Sequence, residues 1–418
     1  MKFKIKLKQF FKTLGPGLVT GASDDDPSGI ATYSQAGAQF GFATLWTALL
    51  TFPLMAAVQE MCARIGLVTS KGLIGTLKNY YPKWMLWIMV GFMAPAVVLN
   101  IGSDIAGMGA VSNLLFPEIP SIYFSIGFTG LLLITIVYLP YQRIASILKY
   151  LCVSLLLYLI VPFLTQNSIT EVLKNTFIPT LKWNKDFLSI LVAILGTTIS
   201  PYLFFWQATM EVEKVKQMKM QTMVNKKVLT EMKNDVDFGM LFSNLVMYFI
   251  ILTTTAVLFK NGFHKIDTVE QAAAALKPLA GKAAYLLFAI GIIGTGLLTI
   301  PVLSGSLSYA ISEAFGWKQG LDKKFHQARS FYVVIIISLL FGLAINYIGL
   351  SPIRALIYTA LLYGIISPVL IAVILHIGNN KTVMRSFTNS RRSNILGFAT
   401  LIIMSLAALF LLYLHLHK

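Results

Sequence analysis

The sequence predicts an all-α polytopic membrane protein. Of its 418 residues, 56% are hydrophobic and only 12% are charged, a composition typical of chains that cross a bilayer several times. Apolar segments of about twenty residues recur along the whole chain, which is the length of a membrane-spanning helix. Two of these segments are interrupted by Gly, Pro and polar residues, as expected where broken helices line a site at membrane depth.

Eleven apolar segments are predicted to span the membrane. They cover residues 14–35, 41–63, 84–112, 121–139, 146–165, 187–210, 237–259, 281–312, 330–348, 353–376 and 394–414. We treat residues 1–418 as a single transmembrane domain, in which 14–165 and 187–376 form two sets of five spans and 394–414 adds a further helix. Because five is an odd number, the two sets are expected to be inverted repeats of one another.

Lys and Arg residues are distributed unequally between the two sides of these spans. With a cytoplasmic N-terminus, 25 of the 34 Lys and Arg residues lie in cytoplasmic termini and loops, and 9 lie on the other side. This split follows the positive-inside rule. We therefore expect an integral protein of the plasma (inner) membrane with its N-terminus cytoplasmic and its C-terminus extracytoplasmic. Topology accounts for the net charge of +17, so no nucleic-acid partner is expected.

The first span contains three consecutive acids in the stretch Ser23-Asp24-Asp25-Asp26-Pro27-Ser28-Gly29. An Asp facing lipid at mid-helix costs roughly 2.5 to 3.5 kcal/mol, so three would cost on the order of 8 to 10 kcal/mol. Pro27 and Gly29 are expected to stop the helix here and to free backbone carbonyls and amides. The stretch therefore predicts half of an ion or solute site.

The sixth span carries a second interruption, Gly196-Thr197-Thr198-Ile199-Ser200-Pro201. Gly and Pro again break an apolar helix, here among hydroxyl side chains. Interrupted helices at corresponding positions of two inverted halves indicate a transport site near the membrane midplane.

Other polar residues inside the spans fall into two groups. Asp104 lies in the middle of the third span, and an ionisable group at that depth is functional by default. Gln59 and Glu60 lie near the end of the second span, where either a gate or a pairing of Glu60 with Arg64 is expected.

Cysteines, histidines and small residues favour structural roles. Cys62 and Cys152 lie in apolar segments far apart in sequence and are expected to be buried hydrophobes. The histidines fall in loops or at helix ends, so no histidine metal site is predicted. The small residues of 294–296 and 304–306 are expected to allow close helix packing.

Several stretches of the chain form a recognisable set. They are Gly15-Pro16-Gly17, Asp26-Pro27-Ser28-Gly29, the segments 36–41 and 59–69, and the Gly196-to-Pro201 interruption. Together they resemble the NRAMP family of proton-coupled divalent metal transporters, and the similarity runs across nearly the whole chain. The resemblance implies a LeuT-type fold, a 5+5 inverted repeat plus an eleventh helix, with helices 1 and 6 broken at mid-membrane.

The resemblance also implies where the metal ligands lie. Asp26 stands at the family's metal-binding Asp, whereas Gly29 stands where the family has a metal-binding Asn. Ser200-Pro201-Tyr202 replaces the family's Met-Pro-His and so lacks its thioether. Two backbone carbonyl ligands would fall at Ser23 and Thr197.

In the third span the family has an Asp followed three residues later by a Glu. Here these positions are Asp104 and Gly107. Asp104 is therefore the surviving acid of that pair and the candidate for a relay of protons or of another coupling ion.

The substitutions favour hard cations. Losing the thioether removes the ligand that selects soft ions over Mg²⁺ and Ca²⁺. Asp24 and Asp25 beside Asp26, with Ser200 and Thr197 opposite, would give an anionic site made of oxygen atoms alone, which suits Mg²⁺ or Mn²⁺. The resemblance agrees, since the Mg²⁺-transporting relatives in the family also lack that Met.

The sequence thus assigns two groups of residues. The metal-binding group is Ser23, Asp24, Asp25, Asp26, Thr197 and Ser200. The coupling or gating group is Ser28, Gly29, Asp104, Tyr202 and Gln207. A divalent cation is the expected substrate and H⁺ the candidate coupling ion. We expect no cofactor, and no obligatory protein partner besides the lipid bilayer.

An alternative is a transporter of the same fold for a small organic solute. Ser28 and Gly29 would then present backbone amides at the N-terminus of the outer half-helix. The acid run argues against an anionic solute. An enzyme is not predicted, because the sequence has no nucleophile elbow, P-loop or His-rich cluster.

Overall fold

The computed structural model describes residues 15–139, 158–165, 168–217, 224–349 and 351–416, and within these ranges the regular elements are helices. In chain order, the helices of eight or more residues are α1 (Pro16–Asp24), α2 (Pro27–Phe40), α3 (Trp46–Thr69), α4 (Leu73–Tyr80), α5 (Lys83–Leu115), α6 (Ser121–Tyr138), α7 (Ile169–Phe177), α8 (Lys185–Thr198), α9 (Pro201–Gln217), α10 (Lys226–Val257), α11 (Ala284–Phe315), α12 (Arg329–Ile345), α13 (Pro352–Asn379) and α14 (Arg391–Leu416). Within the described ranges, eight helices, counting 185–216 as one, are long and apolar enough to cross a membrane.

The predicted spans correspond to these helices. The first span is divided into α1 and α2, and the sixth into α8 and α9, which confirms both predicted breaks. Most of the fifth predicted span, 146–157, lies outside the described residues, and so does Cys152. Cys62 is a buried free thiol, as expected.

Between the sixth and seventh predicted spans, the residues that the structure describes belong to the two flanking helices. Residues 211–217 continue α9, and α10 begins at Lys226, well before the predicted start of the seventh span. The cause is local, because the Asn225 side chain accepts a hydrogen bond from the Val228 amide and caps a polar first turn. The helix therefore starts before its apolar part.

The broken helix of each half of the chain packs against a helix of the other half. α1 and α2, the halves of the first broken helix, pack along α10 of the second half. In turn α9, from the second broken helix, packs along α3 of the first half, and α5 packs along its counterpart α11. This reciprocal packing is the pattern expected of two inverted repeats.

Glycines hold the first broken helix close to α10. A Cβ atom on Gly21 would collide with the carbonyl group of Gly239, and a Cβ atom on Gly239 would collide with the carbonyl group of Gly17. Backbones can approach this closely only where side chains are missing. The contact holds the acid run at the end of α1 against the middle of α10.

Opposite ends of α11 carry different charged groups. At its start, Lys265 and Arg354 lie beside Asp267, with N–O distances of 2.9 and 3.7 Å, and the Lys265 contact holds the pKa of that carboxyl below its usual range. At the other end, the segments 70–79, 209–216 and 312–323 meet around one cavity. The charge count had assigned the first group to one side of the membrane and these three segments to the other.

Candidate functional site

The first break lies between α1 and α2, at Asp25 and Asp26. Asp25 leaves the helical conformation (φ −81°, ψ 55°), and Asp26 is extended (φ −74°, ψ 171°), as expected for a residue that precedes proline. Pro27 is the first residue of α2, where its missing N–H costs nothing. Pro27 thus ends the first half-helix by holding Asp26 extended, as predicted, whereas Gly29 lies inside the second half-helix.

Asp26 is held by two donors from different helices. Its Oδ1 accepts a hydrogen bond from the Gly29 amide at 2.6 Å, which makes Asp26 the N-cap of α2. Its Oδ2 accepts one from the Asn100 amide nitrogen of α5 at 3.0 Å. The carboxylate is 2% exposed. The pair fixes the orientation of Asp26 at the centre of the bundle.

Asn100 and Asp104 present acceptor oxygens to the same region. They lie one helical turn apart on α5 and are both fully buried. Asn100 Oδ1 has no hydrogen-bond donor among the described residues, and the Asp104 carboxylate, which faces the Ser28 backbone N–H, makes no hydrogen bond of good geometry there. The charge of Asp104 interacts with that of Asp26, and Tyr363 of α13 faces both acids. The site thus gathers buried oxygen acceptors, the kind of environment that requires a cation or protons.

Asp24 and Asp25 face a different neighbour. The Ser243 hydroxyl of α10 lies 2.7 Å from Asp24 Oδ2 and 3.4 Å from Asp25 Oδ1. Within the described ranges, no group of three acidic, His or Cys side chains is arranged to hold a metal ion. Asp24 and Asp25 thus face Ser243, whereas Asp26 faces Asn100, and the binding of one ion by Asp26 with support from Asp24 or Asp25 stays a prediction. The reason is geometric, because successive residues at a helix end point in different directions.

The second break, at Ile199 and Ser200, lies against the first. The Ser200 hydroxyl donates to the Thr197 carbonyl at 2.5 Å, and Ser200 also faces the Asp24 carboxylate. A Cβ atom on Gly29 would stand 3.3 Å from the Thr197 hydroxyl oxygen. The structure therefore brings Thr197 and Ser200 to the first break, as predicted from the sequence.

The two backbone carbonyls implied as ligands already accept hydrogen bonds. The Ser23 carbonyl accepts from the Tyr202 hydroxyl at 2.7 Å and from the Thr299 hydroxyl at 3.1 Å. The Thr197 carbonyl accepts from Ser200. Both lone pairs of the Ser23 oxygen are thus engaged, and Tyr202 serves to satisfy the carbonyl that the break releases.

The remaining predicted residues connect helices. The Ser28 hydroxyl donates to the Leu356 carbonyl of α13 at 2.8 Å. On the other side of the breaks, the Thr20 hydroxyl donates to Gln207 Oε1 at 2.5 Å, and Gln207 Nε2 donates to Glu211 Oε1 at 3.0 Å. This buried chain joins α1 to α9. Gln207 therefore occupies a position from which it can hold the two half-helices together.

Away from the breaks, Glu60 pairs with Arg64 and accepts a hydrogen bond from the Ser393 hydroxyl at 3.0 Å. Of the two roles expected for Glu60, the pairing is the one that the structure contains. Gln59, its neighbour, is fully buried, and neither polar atom of its side chain has a hydrogen-bond partner among the described residues.

Comparison with known proteins decides the family. The family model described as "Natural resistance-associated macrophage protein-like" (Nramp) matches residues 17–414. The chain belongs to the Nramp family. It is an integral membrane protein with the helical fold of that family.

Curated relatives cover almost the whole chain. The chain is 26% identical over 401 residues to the "Divalent metal cation transporter MntH" of Caldanaerobacter subterraneus subsp. tengcongensis, covering 94% of this chain and 90% of the relative. It is 28% identical over 434 residues to the MntH of Clostridium acetobutylicum, covering 98% of this chain and 92% of the relative.

Solved structures show the same fold. The Eremococcus coleocola manganese transporter, in complex with an aromatic bis-isothiourea substituted compound, has a TM-score of 0.75 at 19% identity, covering 96% of this chain and 86% of that one. Mhp1, a nucleobase-cation-symport-1 family transporter, in a closed conformation with bromovinylhydantoin bound, has a TM-score of 0.62 at 12% identity, covering 95% and 92%. The expected LeuT-type architecture is confirmed.

Four residues at the centre of this Nramp chain were not predicted from its sequence: Asn100, Ser243, Thr299 and Tyr363. One signal was available for Asn100, since it is a polar amide one helical turn before Asp104 on the same helix face. Single hydroxyl groups in long apolar helices carry no comparable signal, because most of them bond to their own helix.

Proposed function

We propose that this chain is a secondary-active transporter that moves a divalent metal cation across the plasma membrane. Its curated relatives carry the name of divalent metal cation transporters, and the similar solved structure is that of a manganese transporter. Hard ions of the Mg²⁺ and Mn²⁺ class are its preferred substrates. The protein supplies ligands and moving helices and catalyses no reaction.

The observation that carries the proposal is the pairing of Asp26 with Asn100. An Asn amide has one donor side and one acceptor side. Because Asn100 Nδ2 donates to the Asp26 carboxylate, its Oδ1 is the side left free, and it is buried without a donor among the described residues. A carboxylate beside a free amide oxygen is a ligand pair for a hard cation. Asn100 thus supplies, from α5, the amide oxygen that is missing at Gly29.

Selectivity in this proposal follows from the ligand atoms. The side chains gathered at the two breaks and on α5 beside them offer oxygen: Asp26, Asn100, Asp104, Thr197 and Ser200. Thioethers also lie nearby, among them that of Met247 of α10, whose Sδ stands 3.6 Å from the Thr198 hydroxyl oxygen. Oxygen ligands favour Mg²⁺ and Mn²⁺, whereas a thioether favours softer ions. Met247→Leu therefore separates the contribution of the thioether from that of the oxygen ligands, and we expect this variant to leave Mg²⁺ uptake unchanged.

Coupling and orientation complete the proposal. We assign the coupling ion as H⁺ and Asp104 as its acceptor, because Asp104 is a buried acid whose charge interacts with that of Asp26. We place the N-terminus in the cytoplasm and the C-terminus outside, following the distribution of Lys and Arg. The inverted repeats are residues 14–165 and 187–376, and the substrate site lies between them.

One observation weakens the alternative of an organic solute. That alternative relied on free backbone amides at the N-terminus of the outer half-helix, yet the Gly29 amide is already bonded to the Asp26 carboxylate. A carboxylate in that position repels an anionic group.

Uptake into proteoliposomes tests the proposal. Mg²⁺, Mn²⁺ and Cd²⁺ uptake should be measured for the wild type, for Asp26→Ala and for Glu270→Gln, which alters an exposed acid away from the site. We expect Asp26→Ala to abolish uptake and Glu270→Gln to retain it. A wild type that moves none of these ions but binds amino acids or amines would overturn the metal assignment in favour of the organic solute.

A further inference from the structure

A polar cavity lies at one end of the bundle, away from the helix breaks. It has a volume of about 430 Å³ and is enclosed by the turn before α4 and by α4 itself, by the last turns of α9 and by the end of α11. Five lysines line it: Lys71, Lys78, Lys216, Lys318 and Lys323. Only two acids, Glu213 and Glu313, lie among them. The cavity therefore carries a strong positive charge.

Both acids of this lysine cavity already have partners. The two carboxylate oxygens of Glu313 accept hydrogen bonds from the amides of Gly72 and Gly75, each at 2.8 Å, and so cap α4. Glu213 forms an ion pair with Lys216 at 2.9 Å. Among the ion pairs of the described residues, Lys216 is the only cavity lysine that takes part. Most of the positive charge thus faces the cavity uncompensated.

A buried hydroxyl also faces the lysine cavity. Ser312 lines it, is fully buried, and has no hydrogen-bond partner for its hydroxyl oxygen among the described residues. Lys78 Nζ donates to the main-chain oxygen of Glu313 at 3.4 Å, which keeps its ammonium group at the cavity wall. A hydroxyl donor among ammonium groups is the donor set that binds the oxygens of an anion.

Topology alone explains why lysines occur in these loops, but it does not explain their convergence on one concave space. The volume is far larger than one ion or water needs, and it matches a phosphate ester. At its rim, Trp317 stacks on Phe315, and Trp87 meets Phe315 edge to face. Exposed aromatic rings of this kind mark the bilayer interface, where lipid phosphates lie.

We propose that the lysine cavity binds a phosphate group, carried either by an anionic lipid headgroup or by a soluble phosphate ester. The bound phosphate would contact lysines from three separate segments, 71–78, 216 and 318–323, and so connect α4, α9 and the end of α11. This site is independent of the metal site, because none of its residues lies at either break.

Binding to the purified protein tests the proposal. One arm titrates glycerol 3-phosphate by calorimetry, and the other counts bound phosphatidylglycerol by native mass spectrometry, with phosphatidylcholine for comparison. The variant Lys71→Gln/Lys318→Gln/Lys323→Gln should weaken binding by about 100-fold, from the attraction expected for three lysines near an anionic surface. The control Lys174→Gln/Lys227→Gln/Lys381→Gln removes the same charge at exposed positions outside the cavity and should retain binding.

Ser312→Ala separates a specific site from a diffuse positive field. The variant changes no charge, so the affinity for phosphate would stay the same if the positive charge alone held the ligand. If Ser312 donates a hydrogen bond to the phosphate, its loss should weaken binding by about tenfold. Binding in the lipid arm alone identifies a headgroup, and binding in the soluble arm alone identifies a free ester. Absence of binding in both arms, or equal losses in the cavity and control variants, would overturn the proposal. Asp26→Ala should bind phosphate as the wild type does, whatever happens to its metal uptake.

Discussion

Asn100 and Asp26 form the contact on which the proposed metal site depends. The amide holds one carboxylate oxygen and leaves its own oxygen free, whereas Asp24 and Asp25 face Ser243 on α10. The sequence identified Asp26, because a buried acid before a proline is a strong local signal. It could not show the direction of each acid, which depends on where α5 and α10 pack. Hence the sequence predicted Asp24 or Asp25 as the support of Asp26, and Asn100 was not predicted.

The role of Asn100 leads to a direct prediction. Asn100→Leu keeps a similar volume but removes both the donor to Asp26 and the free oxygen. We expect the affinity for Mn²⁺ to fall by about 10- to 100-fold, the range for losing a hydrogen bond to a charged group, about 1.5–3 kcal/mol. Asn113→Leu, on the same helix but at its exposed end, is the matched control. Unchanged Mn²⁺ affinity in Asn100→Leu would remove Asn100 from the ligand set.

Asp104 is expected to affect coupling more than binding. Asp104→Asn keeps the shape of the side chain but removes the charge that interacts with Asp26. The Asn side chain can no longer accept a proton. Uptake by this variant should lose most of its dependence on external pH, while its affinity for Mn²⁺ changes little. Uptake should be measured between pH 5 and pH 8 in both proteins. A wild type whose uptake does not respond to pH would exclude the relay and favour uncoupled transport.

Ser200 is expected to set selectivity. Ser200→Met places a thioether at the second break and should raise Cd²⁺ uptake relative to Mg²⁺, because sulfur favours soft ions. Ser200→Leu, similar in size but without sulfur, is the control. Adding Gly29→Asn should strengthen the effect. Gly29 is an ordinary helical residue, so the change brings no backbone strain, although its Cβ would stand 3.3 Å from Thr197 and Tyr33. Equal Cd²⁺ uptake by the Met and Leu variants would contradict this assignment.

At the scale of helices, the two broken helices were predictable and their connections were not. Gly, Pro and polar residues inside an apolar segment are a local pattern, so both breaks were located from sequence. The chain Thr20–Gln207–Glu211 joins residues nearly 190 positions apart, a contact that depends on the packing of α1 against α9. Gln207 was predicted to gate, but its partners came only from the structure.

This chain predicts a gate between α1 and α9. Gln207→Leu removes the polar link between the two half-helices and leaves Glu211 without its donor, so α1 and α9 should separate more often. The reporter is Ser23→Cys in a protein without Cys62 and Cys152, labelled by an impermeant maleimide. We expect labelling to be several times faster in Gln207→Leu than in Gln327→Leu, which alters an exposed glutamine outside α1 and α9. Equal labelling rates would show that the link does not hold the gate.

At the scale of the molecule, the distribution of Lys and Arg along the sequence and the packing of the helices group the same charged segments at each end of the bundle. The three lysine-bearing segments assigned to one side from the Lys and Arg count meet around one cavity, and Lys265, Asp267 and Arg354 meet beyond the other end of α11. Hydropathy, length and inverted halves therefore predicted the architecture. The lysine cavity was not predicted, because the sequence shows the charge of each loop and not their convergence.

The central claim is that a divalent cation is bound by the Asp26 carboxylate together with Asn100 Oδ1, and calorimetric titration of purified protein with Mn²⁺ and Mg²⁺ tests it most directly. We predict saturable binding of one ion per wild-type chain, no detectable binding to Asp26→Ala, and unchanged binding to Glu270→Gln. All three proteins must show the same elution profile, so that loss of binding is not loss of fold. Binding of Mn²⁺ to Asp26→Ala with wild-type affinity, or its absence from the wild type, would contradict the claim.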